Sequence, residues 1–171
     1  CGSTFRSVWA LREYPPSTGE QAILRHLGEK SGVTLRLYTR FVTALEQRKI
    51  IQNATRKNLL SRGSTQDMQE NIIAESNLQD VANLLAVTHR NKEPLLHTAV
   101  FVELTAPSLD RLRELQADAE MELTRSKINI DKLLLRQKEG FQSVQPNGYN
   151  AFGVQFERVL PASSAANLYP L

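Results

Sequence analysis

The chain has 171 residues, 41% apolar and 23% charged, enough for one globular domain with a real core, or one domain plus a tail, and too few for two full domains. Charged or amide side chains interrupt every hydrophobic stretch before the ~20 residues a spanning helix needs, and the lone cysteine, Cys1, allows no internal disulfide framework. Net charge is only +3, but it is unevenly placed along the chain.

In chain order, the first expected element is a strand over 5–12, stopped by Pro15-Pro16. Ser17 with Glu20 makes a capping box that opens a short helix through Ala22, Ile23 and Leu27, ending near Gly32. Val33, Leu35, Leu37 and Phe41 then alternate with Thr34, Arg36, Tyr38 and Arg40, the period-2 pattern of a strand with one buried face. Residues 44–91 hold no strand pattern and break at Ser61-Arg62-Gly63-Ser64, so they read as a helical hairpin. Its first arm puts Ile50, Ile51 and Ala54 on one side and Lys49 and Arg56 on the other. Its second arm carries a stripe of Ala74, Leu78, Val81 and Leu85, and Ser76 with Gln79 is a further capping box.

After Pro94, the run Ala99-Val100-Phe101-Val102 predicts a central strand covered on both faces. Ser108 starts a long helix with the stripe Leu109, Leu112, Leu115, Ala119 and Leu123, and a last strand is expected over 128–136. Residues 137–146, with a Gly140-Phe141 loop and Pro146, read as a domain exit, and 147–171 as an irregular segment beyond it. Strand, helix, strand, hairpin, strand, helix, strand is an α+β order. It predicts a ferredoxin-like split β-α-β sandwich over 1–146, with four antiparallel strands, two helices on one face, and a helical insertion at about 44–92 between strands 2 and 3.

Chemistry-bearing groups are sparse. His26, His89 and His97 have no Cys neighbours and no metal-ligand spacing, and Ser143, Ser163 and Ser164 lack a nucleophile-elbow context. Asp118 and Glu122 share a helical face that reads as solvated, and Tyr38 between Arg36 and Arg40 is the one aromatic placed to stack on a base. The charge distribution stands out more. Seven basic residues fall between Thr34 and Arg62 against the single acid Glu46, leaving 14 basic and 17 acidic residues elsewhere. Arg36, Arg40, Arg48, Lys49, Arg56 and Lys57 are therefore the candidate partner-binding surface, for anionic lipid, an acidic protein or DNA.

Gln137, Gly140-Phe141, Ser143 and Pro146 form a Q…GF.S..P pattern, preceded by the helical turn Ser108-Leu109-Asp110-Arg111-Leu112. With 5–15, 74–81 and 155–161 they make most of the chain resemble the N-terminal region of the VirB/TrbE/CagE-type ATPases of conjugative type IV secretion systems, in the version carried by integrative elements of Gram-positive bacteria. Here Gln145 precedes Pro146 and Asn147-Gly148 follows it, where the family usually has an apolar residue and Gly-Asn.

The chain contains no Gly-x-x-x-x-Gly-Lys-Ser/Thr, so the resemblance does not carry ATP hydrolysis to these residues. It implies a non-catalytic docking and assembly domain without cofactor, ATP and Mg being held by a further C-terminal domain. The implied partners are inner-membrane components of the secretion complex and other copies of the chain, at the cytoplasmic face of the bacterial membrane. Cys1-Gly2-Ser3 suits either a lipoprotein end or an excised fragment, and strand alternation from Phe5, without a polar tether, favours the fragment. The alternative reading is a free-standing nucleic-acid-binding module of ferredoxin-like fold.

Overall fold

The computed structural model describes residues 3–13, 24–63, 78–83, 86 and 94–168. Its strands are β1 (Phe5–Glu13), β2 (Val33–Phe41), β3 (Leu95–Ala106), β4 (Asn129–Asp131) and β5 (Arg158–Pro161). The helices are α1 (Arg25–Gly28), α2 (Ala44–Gly63), α3 (Leu109–Arg125), α4 (Gln137–Val144) and α5 (Ala162–Leu168), with further helical backbone at 78–83. The fold is α+β, with all five strands in one antiparallel sheet.

The strands run β2-β3-β1-β4, with β5 also paired to β3. On one side β3 pairs with β2, from Leu96 opposite Phe41 to Leu104 opposite Val33. Its other side has two partners in line: β1 pairs from Phe101 to Ala106, and β5 from Leu95 to Thr98. A strand so enclosed is apolar on both faces, as its sequence predicts. Val100, Val102 and Leu104 join Trp9, Leu11, Leu27 of α1 and Leu112, Ala119 and Leu123 of α3 in one core. Ala99 and Phe101 enter a second core on the opposite face, with Val8, Ala10, Leu133, Val144, Phe152 and Phe156.

Local signals explain the element boundaries. Ser108 caps α3, its hydroxyl accepting the Arg111 amide at 3.2 Å, and the predicted stripe is buried or half-buried except for Leu109, which the first turn leaves exposed. Gly32 enters β2 at φ +85°, where a Cβ would collide with the Thr105 carbonyl oxygen, and its own carbonyl accepts the Thr105 amide at 2.8 Å. The Ser17/Glu20 capping box lies outside the described residues. So does most of the hairpin's second arm, including Ala74, Ser76 and Leu85.

Two local readings are corrected. The last strand does not reach residue 136 but stops at Asp131, whose carboxylate accepts the Leu133 amide at 2.8 Å. Leu133 and Leu135 then take φ of 53° and 65°, and this left-handed backbone breaks the extended run. Residues 137–144 form α4 rather than an exit loop, and the segment beyond Pro146, expected to be irregular, returns to the sheet. Phe152 stacks on Phe101 at 5.6 Å, Phe156 meets both edge-on, and β5 follows. The second sheet face, which the sequence left without a covering element, is closed by α4 and this segment.

The Q…GF.S..P residues do the closing. Val8 directs its amide and carbonyl away from β3, and the Gln137 carboxamide meets both: Oε1 accepts the Val8 amide and Nε2 donates to the Val8 carbonyl, each at 2.9 Å. The same Nε2 donates to the Lys132 carbonyl at 2.8 Å. The side-chain amide thus substitutes for a neighbouring strand where β4 is too short to reach. Gly140 lets α4 approach β1, since a Cβ there would sit 3.0 Å from Cβ of Val8. Ser143, fully buried, donates to the Glu139 carbonyl at 3.0 Å and accepts the Ala151 amide at 3.1 Å, tying helix to tail.

Candidate functional site

The six candidate basic residues divide between two environments. Arg36, Tyr38 and Arg40 alternate along β2 on the face that α4 and the tail cover, so the side of β2 that the sequence presents as polar is not free. Arg36 is half-buried, its Nη2 3.5 Å from the Val144 carbonyl. Tyr38 donates its hydroxyl to the Ser143 carbonyl at 2.7 Å, and burial raises its pKa above the ordinary phenolic value, with Arg36 opposing that shift. Stacking on a base is closed to this ring as placed, and Trp9 is buried in the first core.

Arg40 is the centre of a charged cluster. Its guanidinium forks onto Glu157, with Nε to Oε1 at 3.0 Å and Nη2 to Oε2 at 2.8 Å, while Nη1 donates to Glu46 Oε1 at 2.9 Å. These bonds hold the Arg40 pKa above its ordinary value. The Arg40 bond, with a second from the Thr43 amide, lowers Glu46 to about 2. Thr43 and Glu46 form a reciprocal capping box at the start of α2: the Glu46 side chain accepts the Thr43 amide at 2.8 Å and the Thr43 hydroxyl accepts the Glu46 amide at 3.2 Å. His97, cross-strand from Arg40, completes the group with Nε2 3.4 Å from Glu46 and Nδ1 3.7 Å from Glu157.

Arg48, Lys49 and Arg56 behave differently. All three are exposed on α2, and none has an acidic partner among the described residues. Lys57 lies on the same helix, its side chain outside the described residues. On the inward side Ala54 is buried and Ile50 half-buried, as the periodicity predicts, while Ile51 remains exposed. The structure therefore keeps three of the six predicted residues together as a free cationic face and takes Arg36 and Arg40 into the fold.

His97, Glu46 and Glu157 were not anticipated as a group. Positions 40, 46, 97 and 157 share no spacing, and only the β2–β3 register brings Arg40 opposite His97. The Thr43-x-x-Glu46 capping box was legible in the sequence and marks where α2 begins. Among the described residues no cluster of three or more His, Cys, Asp or Glu is arranged to hold a metal ion, and no helix is long and apolar enough to cross a membrane. No protein-family model matches the chain, and no curated protein matches it in sequence.

Proposed function

We propose that this chain is a docking and assembly domain of a conjugative type IV secretion ATPase, built as a ferredoxin-like split β-α-β sandwich that holds a helical arm out from its sheet. The strand order β2-β3-β1-β4 supports the architecture, because β1-α1-β2 and β3-α3-β4 are then two split halves whose helices share one core. The arm leaves the sheet between β2 and β3, where α2 begins. One observation carries the functional reading: α2 presents Arg48, Lys49 and Arg56 exposed and unpaired among the described residues, while on β2 Arg40 is paired with Glu46 and Glu157 and Arg36 is half-buried against α4.

On this reading the arm docks on acidic surfaces of inner-membrane components of the secretion complex, with self-association or contact with DNA or anionic lipid through the same cations. ATP and Mg belong to another domain of the protein, and this one does no chemistry. The roles of Gln137, Gly140 and Ser143 in seating α4 give the residues that carry the family resemblance a structural purpose. A nucleic-acid-binding module would have to use α2, since both sheet faces are covered by their own chain.

The test is charge reversal of Arg48, Lys49, Arg56 and Lys57 to Glu. Substitutions at exposed positions such as Arg48, Lys49 and Arg56 each change stability by roughly 0.5 kcal/mol or less, so the chain should stay folded with a thermal midpoint shifted by no more than a few degrees. Transfer frequency from a donor cell should fall at least about tenfold, the equivalent of ~1.4 kcal/mol of lost docking. Unchanged transfer refutes the docking role. Binding to DNA that weakens steeply with salt would favour the nucleic-acid reading instead.

A further inference from the structure

We infer that His97 is a proton-dependent latch that fixes helix α2 to the sheet and to the segment leading into β5. Its side chain is 13% exposed and lies between two carboxylates, Glu46 at the start of α2 and Glu157 before β5. The buried Nε2 has no hydrogen-bond partner. A neutral imidazole carries one N–H and one lone pair, so it satisfies one carboxylate and turns a lone pair on the other. An imidazolium carries two N–H groups and satisfies both.

The charge count points the same way. Among the described residues, the charged groups facing the ring are Arg40 from β2, Glu46 from α2 and Glu157 from the β5 approach. Arg158, next along, donates to the carbonyl of Glu157 rather than to its carboxylate. One guanidinium against two carboxylates leaves a net charge of −1 around a neutral ring, and a proton on His97 balances it.

The latch matters because Glu46 supplies the polar ties between α2 and the sheet among the described residues. With His97 protonated, the Glu46 and Glu157 carboxylates are clamped from both sides and α2 leaves the sheet at one angle. With His97 neutral, one arm of the clamp opens and α2 swings on the Thr43–Glu46 turn. The inference holds whatever the arm's partner proves to be, because it concerns the attachment of α2 and not what α2 binds.

Fluorophores on Asn53 of α2 and Glu114 of α3, both exposed, report this angle in single molecules, after each is changed to Cys and Cys1 to Ser. Glu46, at about 2, and Arg40, raised above its ordinary value, keep their charges between pH 8 and 5.5. The broad distance distribution expected at pH 8 should narrow at pH 5.5. His97→Gln should lose this response, whereas His26→Gln should keep it. Glu46→Gln, whose amide can donate to the neutral ring, should be narrow at both pH values and does not depend on the His97 variant folding. A wild-type distribution that does not change with pH, or a His97→Gln chain that still responds, overturns the latch.

Discussion

Replacing Gln137 by alanine removes a side chain that stands in for a strand. In the wild-type chain its carboxamide accepts the Val8 amide and donates to the Val8 and Lys132 carbonyls, at 2.9, 2.9 and 2.8 Å. Val8 is fully buried, so deletion leaves its amide and carbonyl without partners at the point where β1 has run past the end of β4. An unsatisfied buried backbone group costs about 1–3 kcal/mol. Water reaching the Lys132 carbonyl recovers part of the third bond, so the loss should be about 2–5 kcal/mol. With an urea m-value of ~2 kcal/mol/M, a 3 kcal/mol loss moves the midpoint by ~1.5 M. In a chain of this size it also lowers Tm by ~6–12 °C. Equilibrium urea unfolding measures the shift. Amide exchange should show Val8 losing protection ahead of β3. A loss below ~0.5 kcal/mol, or a Val8 amide as protected as before, refutes the substitution of amide for strand.

Two further outcomes follow from the same geometry. Gly140→Ala would normally gain ~1 kcal/mol as a helix-interior change, but the new Cβ would lie 3.0 Å from Val8 Cβ and 3.1 Å from Leu133 Cδ1, so a net loss of ~1–2 kcal/mol is expected in thermal unfolding. Glu46 is held at about 2 against an ordinary 4.5, so its contribution to stability is fully present above pH ~4.5 and is lost as pH falls through 2. Glu46→Gln should remove that part of the acid-side slope of stability against pH, read by urea midpoints between pH 5 and 2.

Periodicity alone set out much of the framework. The alternation from Val33 to Phe41 is a strand of those bounds, with Val33, Leu35 and Leu37 against the core but Phe41 exposed at its end, the Leu112, Ala119 and Leu123 stripe is the buried side of α3, and the doubly apolar run in β3 does lie between two cores. These features are local. A side-chain period or a cap is written in neighbouring residues, and one buried face is enough to hold it. The exposed cations of α2 were legible for the same reason, since a helix face with no apolar member turns to solvent.

Only the tertiary structure decided what covers the second face of the sheet. Residues 147–161 have no strong period, and Phe152 and Phe156 read as isolated aromatics until Phe101 supplies the surface they pack on. Gln137 is an ordinary helix-compatible amide whose purpose exists only beside Val8, and the positive φ of Leu133 and Leu135 shows as a run of leucines in sequence and a break in the extended chain in space. Arg40, Glu46, His97 and Glu157 converge because strand register and the returning tail bring them together across more than a hundred residues of chain, a distance over which no sequence pattern correlates charge with countercharge.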